Sequence, residues 1–305
     1  MKSSESIALC FPTDGSGYVV ALRAFFDASE QGGVFSVAGF AYGLSNANKA
    51  QNAWVGAHGK RVVHMADVHA HKEDFENISN VEAGEITVKS IEIISKYMKF
   101  GVAASCDLNE MPHTFQIPVT GDRFIDTIAK GFGSPYAWCC HTVMHHIGKM
   151  VERAGGGNDE VTCIFETGDR GQGKVKEFVR FVEDQDCPGF RHMYSMNGAQ
   201  FAEKNGKEIL LQSADIFCWE WARHIGRKRR GDGPRKSLSA IFGGFDETPQ
   251  KYGFTASSHT DNRVIGSHYE GQQWQDGFAL LIGEVSTKGK SALVNGYRPV
   301  SEGRS

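Results

Sequence analysis

Apolar positions along the chain fall into short dense runs and longer spaced ones, and the two kinds predict different elements. Val19 to Phe26 is rich in apolar residues, with β-branched and aromatic members, stops at Asp27, and has Gln31-Gly32-Gly33 just beyond. This predicts a strand entering a tight turn. Val34 to Tyr42 follows at once, so the two runs are expected to pair as a hairpin, with Asp27 where the first strand leaves the sheet. Asn46 to His58 predicts a short helix carrying Trp54, and the polar stretch from Val68 to Phe75 a loop entering another. In Gly84 to Tyr97, Ile86, Ser90, Ile91, Ile94 and Tyr97 recur at helical spacing.

Phe100 to Asp107 is small and apolar enough for a central strand, and Met111 to Gly133, with Pro112 and Pro118, predicts an irregular excursion. Pro135 to Ala154 predicts a long helix with Pro135 at its favoured first position and Gly155-Gly-Gly157 at its end. A strand is expected over Val161 to Glu166, a helix over Lys174 to Glu183 and a strand over Phe190 to Met196. Ile209 to Ile225 reads as the last strong helix, with Leu210, Leu211, Ala214, Phe217, Cys218 and Trp221 on one face and Asp215 amid them. A short helix over Leu238 to Phe242, a Gly-rich loop and a helix over Glu270 to Ile282 complete the reading. The alternation predicts an α/β fold, organised as one domain over 1–235 with a C-terminal extension, 236–305, packing on it.

Composition narrows the class. Of 305 residues, 40% are hydrophobic and 23% charged, as in ordinary globular proteins, and the net charge of −3 excludes a uniformly basic nucleic-acid coat. Seven cysteines without a C-x-x-C pair, several inside apolar runs, fit small buried hydrophobes in a reducing cytoplasm. The first residues lack an apolar h-region and no apolar run approaches the roughly 18 residues of a membrane span, so a soluble cytoplasmic protein is expected.

Three carboxylates then stand out. Asp27 and Glu166 each end a predicted strand, and Asp215 interrupts an apolar helix face; strand ends of an α/β sheet gather at one edge, so the three can converge. Clustered carboxylates repel unless a cation neutralises them, and oxygen-only donors favour Mg²⁺ or Mn²⁺. For Asp27 alone, an Asx turn with Ser29 explains the residue equally well. His64-x-x-Asp67-x-His69-x-His71 has the ligand types of a zinc site without a zinc spacing. Arg223, Arg227, Lys228, Arg229 and Arg230, with Arg235 and Lys236, follow directly on the Asp215 helix. They read either as a solvated face or as a grip on a phosphate backbone near the acidic cluster. Gly168-x-x-Gly171-x-Gly173-Lys174 lacks the spacing of a phosphate loop.

Phe26-Asp27-Ala28-Ser29, His64-Met65-Ala66-Asp67, Cys163-Ile-Phe-Glu166 and Leu211-Gln212-Ser213-Ala214-Asp215 together resemble domain-of-unknown-function family 3800, over roughly 18–226. The resemblance implies an RNase H-like mixed sheet flanked by helices and a two-metal phosphodiester hydrolase acting on DNA or RNA. It implies that Asp27 bridges the metals, that Asp215 and Glu166 complete the ligands with Asp67 auxiliary, and that His64 moves a proton. Two departures stand against the family pattern: Ala28 replaces a Glu, and Glu166 an Asp. The Ala28 change leaves open a catalytically silent nucleic-acid- or protein-binding module of the same fold, and the 64–71 cluster a zinc hydrolase.

Overall fold

Period-two alternation in the apolar runs decides which way each side chain faces, and the sheet follows from it. The computed structural model describes residues 21–109, 133–153, 161–184, 196–233, 235–242, 245–250, 253–258 and 264–269. Strands β1 (Leu22–Gln31) and β2 (Val34–Gly43) form the expected hairpin, in register Gln31↔Val34. Gly32 and Gly33 make the turn at φ 59° and 77°, the doubly positive backbone of a two-residue hairpin. β3 (Phe100–Asp107) pairs antiparallel with β2. β4 (Val161–Glu166) pairs parallel with β1, and β5 (Met196–Ala202) parallel with β4.

β6 (Phe245–Gln250), β7 (Gly253–Ser258) and β8 (Val264–Tyr269) form a meander whose last strand pairs parallel with β3. Among the described residues this gives one mixed sheet in the order β5-β4-β1-β2-β3-β8-β7-β6. The fold is α/β, a mixed sheet flanked by helices.

Each face carries a helical layer. Leu22, Ala24 and Phe26 of β1, with Val161, Cys163 and Phe165 of β4, pack against α4 (Pro135–Arg153) and α5 (Gln172–Asp184). Phe25 and Ile164, one residue out of step, face the opposite layer. That layer contains α1 (Leu44–His58), α2 (Met65–Ala70), α3 (Asn80–Tyr97), α6 (Leu211–Arg229) and α7 (Lys236–Phe242). α6 lies across β1 and β2, buried at nearly every position from Leu211 to Ile225. Each large side chain sealed in these layers contributes about 1.5–3 kcal/mol. By the same alternation Asp27 and Glu166 fall on the α6 face, whereas Ala28 packs with the other layer.

The structure departs from the sequence reading at definite places. β1 does not end at Asp27 but runs on to Gln31, because β2 continues to pair with it; what ends at Phe26↔Phe165 is the pairing with β4. Asp27 therefore sits one row beyond the end of the parallel ladder, beside Glu166. α3 starts at Asn80, ahead of Gly84, because Ser79 and Glu82 form a capping box. α6 continues to Arg229, so most of the basic run is helical. The strand expected over 190–196 falls largely outside the described residues, and β5 occupies Met196–Ala202. The region read as a Gly-rich loop after Phe242 contains β6 to β8. The excursion over 111–133, apart from Gly133, and the helix over 270–282 lie outside the described residues. Cys106, Cys139, Cys140, Cys163 and Cys218 are buried free thiols, and Trp54, Trp138 and Trp221 are core residues.

The hairpin imposes one tight contact. A Cβ on Gly39 would stand 1.8 Å from the Phe25 carbonyl oxygen, whereas one on Gly43 meets nothing within 4 Å. Gly39→Ala is expected to destabilise the protein by about 3 kcal/mol, and Gly43→Ala by under about 0.5 kcal/mol. Urea unfolding midpoints compare them.

Candidate functional site

Asp27 and Glu166 stand side by side because β1 and β4 run parallel, and α6 crosses above them. Its first turn brings Asp215, 5% exposed, over the same point. Between the three lies the ammonium of Lys204, from the turn that follows β5. Its Nζ is 2.8 Å from Glu166 Oε2, 3.2 Å from Asp27 Oδ2 and 3.3 Å from Asp215 Oδ1. Three carboxylates from β1, β4 and α6 thus share one cation position.

The charges do not balance there. Burial pushes the Asp27 carboxyl well above the usual carboxylate range, and its hydrogen bond with Glu166 and the charge of Asp215 push it further, with Lys204 acting against them. Burial would lower the Lys204 pKa, but Asp215, Asp27 and Glu166 outweigh it and hold the ammonium charged well beyond its ordinary range. Asp169, in the turn after β4, is raised to about 6 by burial and then by Glu166.

His64 joins the cluster from the start of α2. Its Nε2 is 3.2 Å from Asp215 Oδ1 and its Nδ1 2.9 Å from Asp67 Oδ2. The Met65 backbone N–H donates to Asp215 Oδ2 at 2.8 Å, which locks the head of α2 to α6. Gln212 explains the rest of the Leu-Gln-Ser-Ala-Asp segment. Its Oε1 accepts from the Trp54 indole at 2.8 Å and from the Val63 N–H at 3.0 Å, and its Nε2 donates to the Lys204 carbonyl at 2.9 Å. One buried amide therefore positions both the segment leading to His64 and the residue whose ammonium fills the site.

Asp27, Glu166, Asp215, His64 and Asp67, all singled out in the sequence, are brought together. The Asx turn from Asp27 to Ser29 does not form; Asp27 Oδ1 accepts from the Ala28 N–H at 2.8 Å within a continuing strand. Because Ala28 faces the opposite layer, a carboxylate at that position would not join Asp27. The 64–71 histidines do not gather: His69 stacks on Trp219, with ring centroids 4.7 Å apart, and His71 Nε2 is 3.0 Å from Asn80 Oδ1.

The basic residues divide. Arg229 pairs with Asp107, Lys228 with Glu247, and Arg230 with Asp232, and Arg227 Nε donates to the Gly233 carbonyl at 3.0 Å. Arg223 instead lies over the Trp219 ring at 4.3 Å. Lys204 was missed in the sequence because a metal reading looks for acids and imidazoles. The signal that could have found it is the polar turn closely preceding the Asp215 helix, which carries two lysines, Lys204 and Lys207.

The donor set, all carboxylate oxygens with negative charge in excess of one ammonium, suits a hard divalent cation. Among the described residues, no three His, Cys, Asp or Glu side chains are arranged to hold a metal as they stand; the ammonium holds that point. No family model matches the chain, and no curated protein matches it in sequence. No helix among the described residues is long and apolar enough to cross a membrane.

Since the native state keeps a proton on Asp169 that an unfolded chain releases near its ordinary value of 3.8, stability contributed by this group falls as pH rises from about 4 to about 6. Asp169→Asn is expected to raise stability at pH 7 by about 1–2 kcal/mol after discounting for partial exposure. It should leave stability at pH 3.5 nearly unchanged; unfolding curves at both pH values read the difference.

Proposed function

We propose that the chain is a divalent-metal-dependent nuclease of RNase H-like fold that hydrolyses phosphodiester bonds of DNA or RNA with Mg²⁺ or Mn²⁺. The observation that carries this reading is the single cation position shared by Asp27, Glu166 and Asp215. The mixed sheet, with β4 and β5 parallel to β1 beside an antiparallel hairpin, supports the RNase H-like part of it.

Asp27, Glu166 and Asp215 would hold the metal, with Asp67 reached through His64. Bound there, such an ion supplies a Lewis acid that activates water and neutralises the scissile phosphate. His64 is poised as a proton carrier: Asp67 fixes its Nδ1, and Nε2 faces the carboxylate centre, where it takes a proton from an attacking water. Lys204 keeps the carboxylates together between turnovers and offers its N–H groups to an entering phosphate oxygen.

Lys204 also favours a second reading, a silent binding module of the same fold in which the ammonium permanently replaces the metal. Ala28 gives that reading little weight, since its side chain faces away from the centre.

Labelled single-stranded, double-stranded and hybrid nucleic acids, incubated with Mg²⁺, Mn²⁺, Zn²⁺ or chelator, separate the two. The expected result is cleavage with Mg²⁺ or Mn²⁺, abolished in Asp27→Asn and Asp215→Asn and lowered about 10²-fold in His64→Ala. Undiminished cleavage by Asp27→Asn would remove the metal assignment. A folded wild type that cleaves nothing would leave the binding module.

A further inference from the structure

One turn along α6 from Asp215 stands Trp219, and one turn further Arg223. Residues at i, i+4 and i+8 share a helix face, so the stripe runs from the carboxylate centre outward over about 12 Å. Trp219 itself is 7% exposed because three planar groups cover it. His69, exposed at the end of α2, stacks on it with an interplanar angle of 8°. The Arg223 guanidinium lies 4.3 Å and that of Arg235 5.0 Å from its ring centroid.

The indole thereby holds two guanidiniums and an imidazole in fixed orientations, at little further entropic cost when they bind. Glu220 pairs with Arg235 at 2.6 Å and offsets one of the charges. Arg223 has no such carboxylate pair in the described structure; burial and then the charge of Arg235 work against its ionisation, Glu220 favours it, and Arg227 and Arg230 add to the opposition. Positive charge is in surplus here, unlike at Lys228, Arg229 and Arg230, which have acidic partners.

We propose that Arg223, Arg235 and His69, assembled on Trp219, form a phosphate-binding site for the strand whose scissile bond lies at the carboxylate centre. Eight helical residues, about 12 Å, correspond to some three to four phosphates of one strand counted along a duplex axis at about 3.4 Å each. The platform therefore grips the backbone several nucleotides from the reacting phosphate and sets its register. It reads phosphate and not sequence. The identity of the anion rests on the nuclease reading; the site itself rests on the Trp219 geometry.

The test measures binding apart from cleavage. A fluorescein-labelled 12-nucleotide single strand and a duplex of the same sequence are titrated, with chelator present, into wild type, Arg223→Ala, Arg223→Lys and Arg180→Ala at several salt concentrations. Arg180 is exposed on α5, across the sheet, and removes one positive charge away from the platform. The expected result is affinity about tenfold weaker in Arg223→Ala, with a salt slope shallower by about one counterion. Arg223→Lys should restore the slope and only part of the affinity, and Arg180→Ala should match wild type. Equal binding by Arg223→Ala and Arg180→Ala would overturn the proposal, as would wild type that binds neither probe at low salt. Binding that depends on Arg223 in a protein that never cleaves would uphold the platform while the nuclease reading fell.

Discussion

The whole site depends on a buried ammonium held among three carboxylates. Taking such charges out of water costs several kcal/mol per ion, and the arrangement persists only because each group has a partner in place. One positive charge cannot satisfy three negative ones, so part of the strain appears as protonation: Asp27 and Asp169 both retain protons above the ordinary carboxylate range. A site in this condition has a standing affinity for further positive charge. That is the physical basis for proposing a divalent cation there and, through the cation, phosphodiester chemistry.

The scaffold is arranged to hold those charges together. Parallel pairing of β1 and β4 sets Asp27 beside Glu166, and pairing between these strands ends one row earlier, which opens the edge where the side chains meet. α6 supplies Asp215 for the centre and, through Gln212, a clamp on the two flanking segments. The same helix continues outward to Trp219 and Arg223. A single element thus links the proposed metal ligand, the positioning amide and the proposed phosphate grip, so helix placement fixes their mutual distances.

Much of this was legible in the chain. Asp27 and Glu166 were visible because a carboxylate closing an apolar run is costly unless it serves a purpose, and Asp215 because it breaks a buried helical stripe. The hairpin followed from alternation and its Gly-Gly turn. Other features depended on contacts between distant segments. Nothing local tells that Lys204 reaches three acids across the sheet, or that Arg229 pairs with Asp107. Nor does a histidine in a polar loop announce an indole beneath it, as His69 has in Trp219. β5 escapes the sequence pattern because Asn197 and Gly198 interrupt its apolar run, and parallel pairing with β4, not propensity, holds it in the sheet. The capping box at Ser79 and Glu82 is written in the sequence and lies ahead of the apolar spacing, which begins only after it.

Calorimetric titration of Mn²⁺ into wild type, Lys204→Met and Asp27→Asn tests the shared cation position most directly. If the ammonium and the metal compete for one point, Lys204→Met binds Mn²⁺ at least about tenfold more tightly than wild type, and Asp27→Asn loses most of the binding. Absence of Mn²⁺ binding in folded Lys204→Met, or one affinity common to all three proteins, would contradict the account.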